Sequence, residues 1–444
     1  MDRTLIILIV MALFMFMLIT GHKISSVLFT AGILGIIILS KGSLAQVKGI
    51  VVNEPYQQIA SYTMSTVPLY IIMAEFIIRS NIIRDFYALI FKLSKGRKAA
   101  LGTMTILLGG FLGAVSGSGM ATSAAMGKVG VPELRARGYS QDLAGTVAAA
   151  AGTLSAVIPP SMTLIVYGVA AEVSVAKLFI ATLIPGILAM VTYAVVAIVI
   201  LNTKSEKLRA QAELEAGLVK PAEDLDLSPG RTIFVVVVGA ALVLIIFVGI
   251  YTGKFSPTEA GAVGAFLGFL VTIITRTLSL DLIISSITST VKTTGMVLFV
   301  MLSATFFGRF VTLSLMPRAI MNALGGMMDH PSMVLALLVL VYFVVFMFVD
   351  GAAGLLMTVP VLLPIMQAMN IDLLWFGVFV CMLITLGALT PPVGMCVYSV
   401  SAVSGIPMNK MFPLSSIFAA VTGLVVCGLM ILFPGLATWL PSLM

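Results

Sequence analysis

Residues 99–131 carry the run Gly113-Ala114-Val115-Ser116-Gly117-Ser118-Gly119-Met120-Ala121 at their centre, and the way this stretch meets a membrane decides the fold. It is apolar on both sides of its small-residue centre. Lys92, Lys95, Arg97 and Lys98 precede it, and Lys128, Arg135 and Arg137 follow it. Lys and Arg collect on the cytoplasmic side of a bilayer, so both ends belong on that side. The second arm, 119–131, is also shorter than the roughly 20 residues a crossing helix needs. The stretch is therefore read as a re-entrant helical hairpin that turns at Val115-Ser116-Gly117-Ser118-Gly119.

The whole chain supports a membrane setting. Of 444 residues, 60% are hydrophobic and 10% charged, with 25 Lys+Arg and 18 Asp+Glu. A soluble domain carries about 25% charge. Long continuous apolar runs argue for helices and against the alternating segments of a β-barrel. A net charge of +7 records loop sidedness in such a chain, and no nucleic-acid partner is implied. The three cysteines, Cys381, Cys396 and Cys427, lie in apolar segments without metal-ligand spacing, and His22 and His330 fall in connections. They are read as packing and connecting residues. The N-terminal run from Thr4 to Thr20 lacks a small-residue cleavage site and is read as a retained first helix.

Eleven of the charges crowd into residues 202–231, which reads as a charged, solvated cytoplasmic linker between two apolar halves, 1–201 and 232–444. The halves match. The first has spans at 4–20, 24–40 and 62–78, the hairpin 99–131, an interrupted stretch 141–170 and a span at 178–201. The second has 232–252, 259–275 and 282–308, a second hairpin at 331–367, an interrupted stretch 373–405 and a span at 411–434. The second hairpin turns at Asp350-Gly351-Ala352-Ala353-Gly354, with sparse positive charge around it, so it is expected to enter from the periplasm. With 79–98 inside, 18 Lys and Arg face the cytoplasm and 7 the outside. Each half then starts on the opposite side, giving two inverted-topology repeats.

Both interrupted stretches contain a double proline, Ile158-Pro159-Pro160-Ser161 and Leu389-Thr390-Pro391-Pro392-Val393-Gly394. Two prolines in succession break a helix. Non-helical backbone at membrane depth persists only where protein or a water-filled cavity satisfies it. The spacing repeats, 43 residues from Ser116 to Pro159 and 41 from Asp350 to Pro391. Unwound carbonyls with the hydroxyls of Ser116, Ser118, Ser161 and Thr390 and the carboxylate of Asp350 form a frame suited to a small hard cation. Helix N-termini at both turns direct partial positive charge inward, which favours an anionic substrate.

Simpler readings exist for each feature. Ser-Gly runs permit close helix packing, and double prolines also make plain kinks. Asp350 is the sharpest signal, because an ionisable group in a turn at membrane depth is costly. Arg309, after the run 282–308, suits either snorkelling to the outer surface or contact with substrate. Glu75 lies one helical turn from Arg79 and suggests an interfacial ion pair.

These motifs, with Gly138-Tyr139 and Trp375-Phe376-Gly377-Val378, together resemble the large membrane (M) subunit of tripartite ATP-independent periplasmic (TRAP) transporters, in its unfused form, over nearly the whole chain. Tyr70 and Ala74 stand where that family usually has Phe and Gly, in a span read as scaffold. The resemblance implies an all-α, polytopic, elevator-type transporter in the bacterial inner membrane. Its expected work is sodium-coupled uptake of an organic acid such as a dicarboxylate or sialic acid. It implies a separate small membrane subunit of four helices and a periplasmic substrate-binding protein. By the same resemblance one sodium site falls on Ser116, Gly117, Ser118, Pro160 and Ser161, and the other on Asp350, Gly351, Thr390, Pro391 and Gly394. Ser118, Ser161, Arg309 and Asp350 are the expected substrate contacts. The alternatives are a symporter of related fold that needs no binding protein, and an ion channel. A channel filter usually repeats one loop around an axis, whereas these hairpins differ in sequence and enter from opposite sides. An intramembrane protease needs a base or a second carboxylate at depth, which the sequence does not offer. No Gly-x-x-x-x-Gly-Lys-Ser/Thr loop is present, so ATP hydrolysis is not expected of this chain.

Overall fold

The computed structural model describes residues 3–80, 82–95, 97–219 and 227–444, and among them the secondary structure is helical. Eight of the described helices are long and apolar enough to cross a membrane. A further pair, Tyr62–Arg79 and Ile82–Ser94, is bent by 66°. The shorter apolar helices Arg3–Ile19 and Ile24–Leu39 stand beside the 35-residue helix Leu280–Ser314. At 1.5 Å per residue that helix is about 52 Å long, well beyond a hydrocarbon core of about 30 Å. Thr66–Arg79 packs on Pro257–Ile274, where Thr66 and Thr258 share a buried hydroxyl hydrogen bond of 2.7 Å. These helices form one layer of the protein.

The second layer contains both hairpins and both broken helices. Lys98–Ser116 and Gly119–Ala136 form the first hairpin, and Pro331–Phe348 and Gly351–Ala368 the second. The first broken helix runs as Gln141–Thr153 and Met162–Ala170, the second as Leu373–Gly387 and Met395–Ser404. The repeats interlock. Gly119–Ala136 packs against both Gln141–Thr153 of its own half and Met395–Ser404 of the other, and Gly351–Ala368 meets Met162–Ala170. Small residues make this possible: a Cβ on Gly152 would stand 2.6 Å from the Ser123 backbone nitrogen. Fully buried Tyr167 ties the halves further by donating its hydroxyl to the Leu373 carbonyl at 2.6 Å.

Four features depart from the sequence reading. The inner arm of the first hairpin continues to Ala136, five residues past the expected end, because Glu133 and Leu134 are buried rather than solvated. The second turn is tighter than expected: Asp350 caps a helix that starts at Gly351, so Gly351 to Gly354 are helical. Arg309 lies within Leu280–Ser314, not after a helix end. The charged segment 202–231 is not simply solvated. Residues 220–226 lie outside the described residues, but Lys204–Glu215 is a helix with Glu206 buried against the first broken helix. Polar or amphipathic helices at Leu44–Ile59 and Met316–Leu324 also went unforeseen, since neither is apolar enough to read as a span.

Candidate functional site

The first turn is built by two residues with opposite backbone needs. Gly117 ends the outer arm at φ +61, a left-handed conformation that disfavours a side chain. Ser118 follows in extended conformation and caps the inner arm, its Oγ accepting from the Ala121 amide at 3.4 Å. Ser116 stands behind the turn, 2.5 Å from Thr122 Oγ1. A Cβ on Gly117 would lie 3.4 Å from the Met162 nitrogen and 3.6 Å from the Pro160 carbonyl oxygen. The first turn thus sits directly against the first break.

At that break the helix Gln141–Thr153 tightens into the 3-10 turn Leu154–Ala156 and then unwinds. Fully buried Ser161 reaches back across the gap, donating to the Ala156 carbonyl at 2.9 Å and contacting Thr163 Oγ1 at 2.8 Å. The Ala156 carbonyl, freed by the break, accepts from Thr163 as well, at 3.1 Å. The second break closes in the same manner. Buried Thr390 donates to the Gly387 carbonyl at 3.0 Å, and the Cys396 amide reaches the Ala388 carbonyl at 3.2 Å. Gly394 restarts the helix from φ +52. Both double prolines have a cis peptide bond.

The two turns face one another across a cavity of about 100 Å³, walled by residues 117–120 and 350–352 and by both broken helices. Gly117, Ser118, Asp350 and Gly351 line it together. Ser116, Pro160 and Ser161 lie behind the first wall, and Thr390, Pro391 and Gly394 lie outside the lining, as the far wall is formed by Ile384, Thr385, Ala388, Met395 and Cys396. Arg309 is not brought to this cavity. It lines a separate one of about 330 Å³ with Glu172, between Leu280–Ser314 and Gly351–Ala368. Glu75 does pair with Arg79, at 2.8 Å, and also accepts from Ser289 at 2.5 Å.

Four hydroxyls at the cavity, those of Thr153, Ser155, Thr163 and Thr385, were not singled out from sequence. A signal was available: Thr153 and Thr385 each stand six residues before the first proline of their break, so the repeats place equivalent threonines in the wall. Asp350 is the carboxylate of the lining, its Oδ2 accepting from the Ala352 amide at 3.2 Å at the start of Gly351–Ala368. That helix and Gly119–Ala136 both begin at the cavity, adding two N-terminal partial positive charges. The described residues hold no cluster of three or more His, Cys, Asp or Glu. Hydroxyls, carbonyls and one carboxylate are instead hard oxygen ligands. Near them are amide donors suited to an anion.

Two repeats, each with a helical hairpin and a broken helix meeting at one cavity, give the architecture of a secondary transporter. The chain belongs to the family described as "Tripartite ATP-independent periplasmic transporter, DctM component", whose sequence model matches residues 8–439. The sialic acid TRAP transporter large permease protein SiaM of Vibrio cholerae is 29% identical over 400 residues, covering 87% of each chain. The C4-dicarboxylate TRAP transporter large permease protein DctM of Pseudomonas aeruginosa is 28% identical over 385 residues, covering 86% of this chain and 85% of its own. Among solved structures, MtrF of Neisseria gonorrhoeae superposes with a TM-score of 0.61 over 88% of this chain and 85% of its own, at 12% identity. That likeness concerns the fold. The chain is accordingly a multi-pass inner-membrane permease of the organic-acid transporter class, not an enzyme, and one component of a multi-part system.

Proposed function

We propose that this chain couples sodium entry to uptake of an organic acid anion, handed to it by a periplasmic binding protein and with a small membrane subunit beside it. The observation that carries this reading is the composition of the cavity: hydroxyls and one carboxylate share it with two helix N-termini, so cation and anion are each provided for. Sodium is cargo. It would be held at the first turn by Ser116, Gly117 and Ser118 with Pro160 and Ser161, and at the second by Asp350 and Gly351 with Thr390, Pro391 and Gly394. Ser118, Ser161 and Asp350 would order the substrate side, and Arg309, in its own cavity, would meet the acid before or after the central site. The layer holding both hairpins and both broken helices would travel as one body past the other layer, since Gly119–Ala136 and Gly351–Ala368 each pack across the repeats.

The test is uptake into proteoliposomes that hold this chain and its small subunit, with the binding protein outside. Radiolabelled succinate and N-acetylneuraminate are offered under an inward sodium gradient. Saturable uptake of one acid that disappears when potassium replaces sodium is the expected result. Uptake of equal rate in potassium would remove sodium coupling from the reading, and uptake of neither acid would remove this substrate class.

A further inference from the structure

Ser155 sits on the 3-10 turn just before the first break, 1% exposed, and its Oγ has no hydrogen-bond partner. It is a wall residue of the central cavity. Its neighbour across that wall is Gly119, the first residue of the inner hairpin arm: a Cβ there would stand 3.3 Å from Ser155 Oγ and 3.1 Å from Cys396 Sγ. Glycine leaves this space open. The first amides of an α-helix have no acceptor within the helix, and at this end Ser118 Oγ takes only that of Ala121. The amides of Gly119 and Met120 thus have no acceptor within their own helix, and Gly119 borders the Ser155 hydroxyl.

We infer that Ser155 and the N-terminus of Gly119–Ala136 form a subsite for one carboxylate of the transported acid. The inference rests on the transport reading above and assigns the acid group a place within it. A buried hydroxyl left unpaired is costly, and a ligand that pairs it recovers that cost. The first amides of Gly119–Ala136 and the Ser155 hydroxyl are donors beside one acceptor, the Gly152 carbonyl, 3.5 Å from the Cβ position of Gly119, and the positive helix N-terminus tips this group toward an anion. Asp350, on the other turn, sets the polarity: repulsion drives a carboxylate toward the first hairpin and leaves the Asp350 side to a cation. The acid would thus lie between the turns with one end fixed at Gly119 and Ser155.

The test compares wild type with Ser155→Ala and Ser155→Cys in the reconstituted three-part system, using succinate and N-acetylneuraminate as probes. Ser155→Ala is expected to raise the half-saturating concentration of the transported acid about tenfold, the effect of losing one hydrogen bond to a charged group. Ser155→Cys, with its weak donor, should fall between. The half-saturating sodium concentration should stay unchanged, and the substrate-free Ser155→Ala protein should melt no lower than wild type, because it has lost only an unpaired hydroxyl. An unchanged acid dependence overturns the subsite, as does a shift confined to sodium or a lower melting temperature without substrate. If wild type carries neither acid under any cation, the transport reading itself fails, an outcome distinct from a Ser155→Ala protein that matches an active wild type.

Discussion

Replacing Glu206 by Ala removes the carboxylate through which the inter-repeat segment grips the first broken helix. Glu206 Oε1 accepts from the Ser140 amide and Oε2 from the Ser140 hydroxyl, both at 2.8 Å. Ser140 is the N-cap of Gln141–Thr153, so the carboxylate lies at the positive end of that helix. Glu213 reinforces it, accepting from the Gln141 amide at 3.1 Å and from Arg135 at 3.2 Å. A hydrogen bond to a charged group contributes about 1.5–3 kcal/mol, giving a gross loss of about 3–6 kcal/mol for two. Burial offsets part of this: it pushes the Glu206 carboxyl above its ordinary range despite the two bonds from Ser140. A net loss of about 2 kcal/mol remains, or about thirtyfold in the docking equilibrium.

Hydrogen exchange by mass spectrometry on the protein in nanodiscs reads that equilibrium directly. In Glu206→Ala, peptides spanning 140–146 and 204–215 should exchange about thirtyfold faster, while those of the second broken helix keep their protection. Lys207→Ala, an exposed neighbour, is the control and should leave both peptides unchanged. Unaltered exchange at 140–146 in Glu206→Ala would refute the clamp. The same assay has a pH arm. Because the folded-state carboxyl titrates above its unfolded value, protonation favours the docked form. Its contribution is fully present below the unfolded value and is lost as pH rises through the raised folded one. Asp142 adds to the upward push and Arg209 opposes it, so Arg209→Ala should widen the window in which docking weakens.

Asp350→Ala should abolish sodium-dependent uptake while the protein still inserts and elutes as wild type; normal uptake by such a protein would detach Asp350 from the site. Ser161→Ala should raise the sodium concentration for half-maximal rate, since a hydroxyl at the first break is lost, and an unchanged sodium curve would leave Ser161 as a brace for the Ala156 carbonyl. Gly152→Val should cost about 3 kcal/mol, the upper end of the usual overpacking range, because its Cβ would press on the Ser123 backbone and separate the hairpin from the broken helix. A melting temperature within a degree of wild type would show that the two helices part without cost.

What was legible in the sequence is what a bilayer forbids elsewhere. Backbone cannot be left unpaired in hydrocarbon, so the Ser116–Gly119 turn, the Asp350 turn and both double prolines stood out as interruptions that need a protein-lined cavity. The sidedness of Lys and Arg exposed the first hairpin for a similar reason. What was hidden follows from the same physics. Helices that need not cross carry no long apolar run, so Leu44–Ile59, Lys204–Glu215 and Met316–Leu324 left no hydropathy signal. A cluster of charges reads as solvated unless its partners are known, and the partners of Glu206 and Glu213 are a helix N-terminus some 70 residues earlier.

Cavity hydroxyls were hidden for another reason. In a helix, Ser and Thr satisfy themselves on the preceding turn, as Thr385 does on the Met382 carbonyl at 2.6 Å, so in sequence they look inert. Ser155 differs because the helix has already tightened beneath it, and its hydroxyl is left without a partner at the point where the opposite turn brings a glycine. The break therefore does two things at once. It frees carbonyls such as that of Ala156, which Ser161 and Thr163 take up, and it frees the Ser155 hydroxyl, which no protein group takes up. Frame and ligand groups arise from the same interruption, which is why a site for small ions and acids can exist in a chain with so few charges to spend.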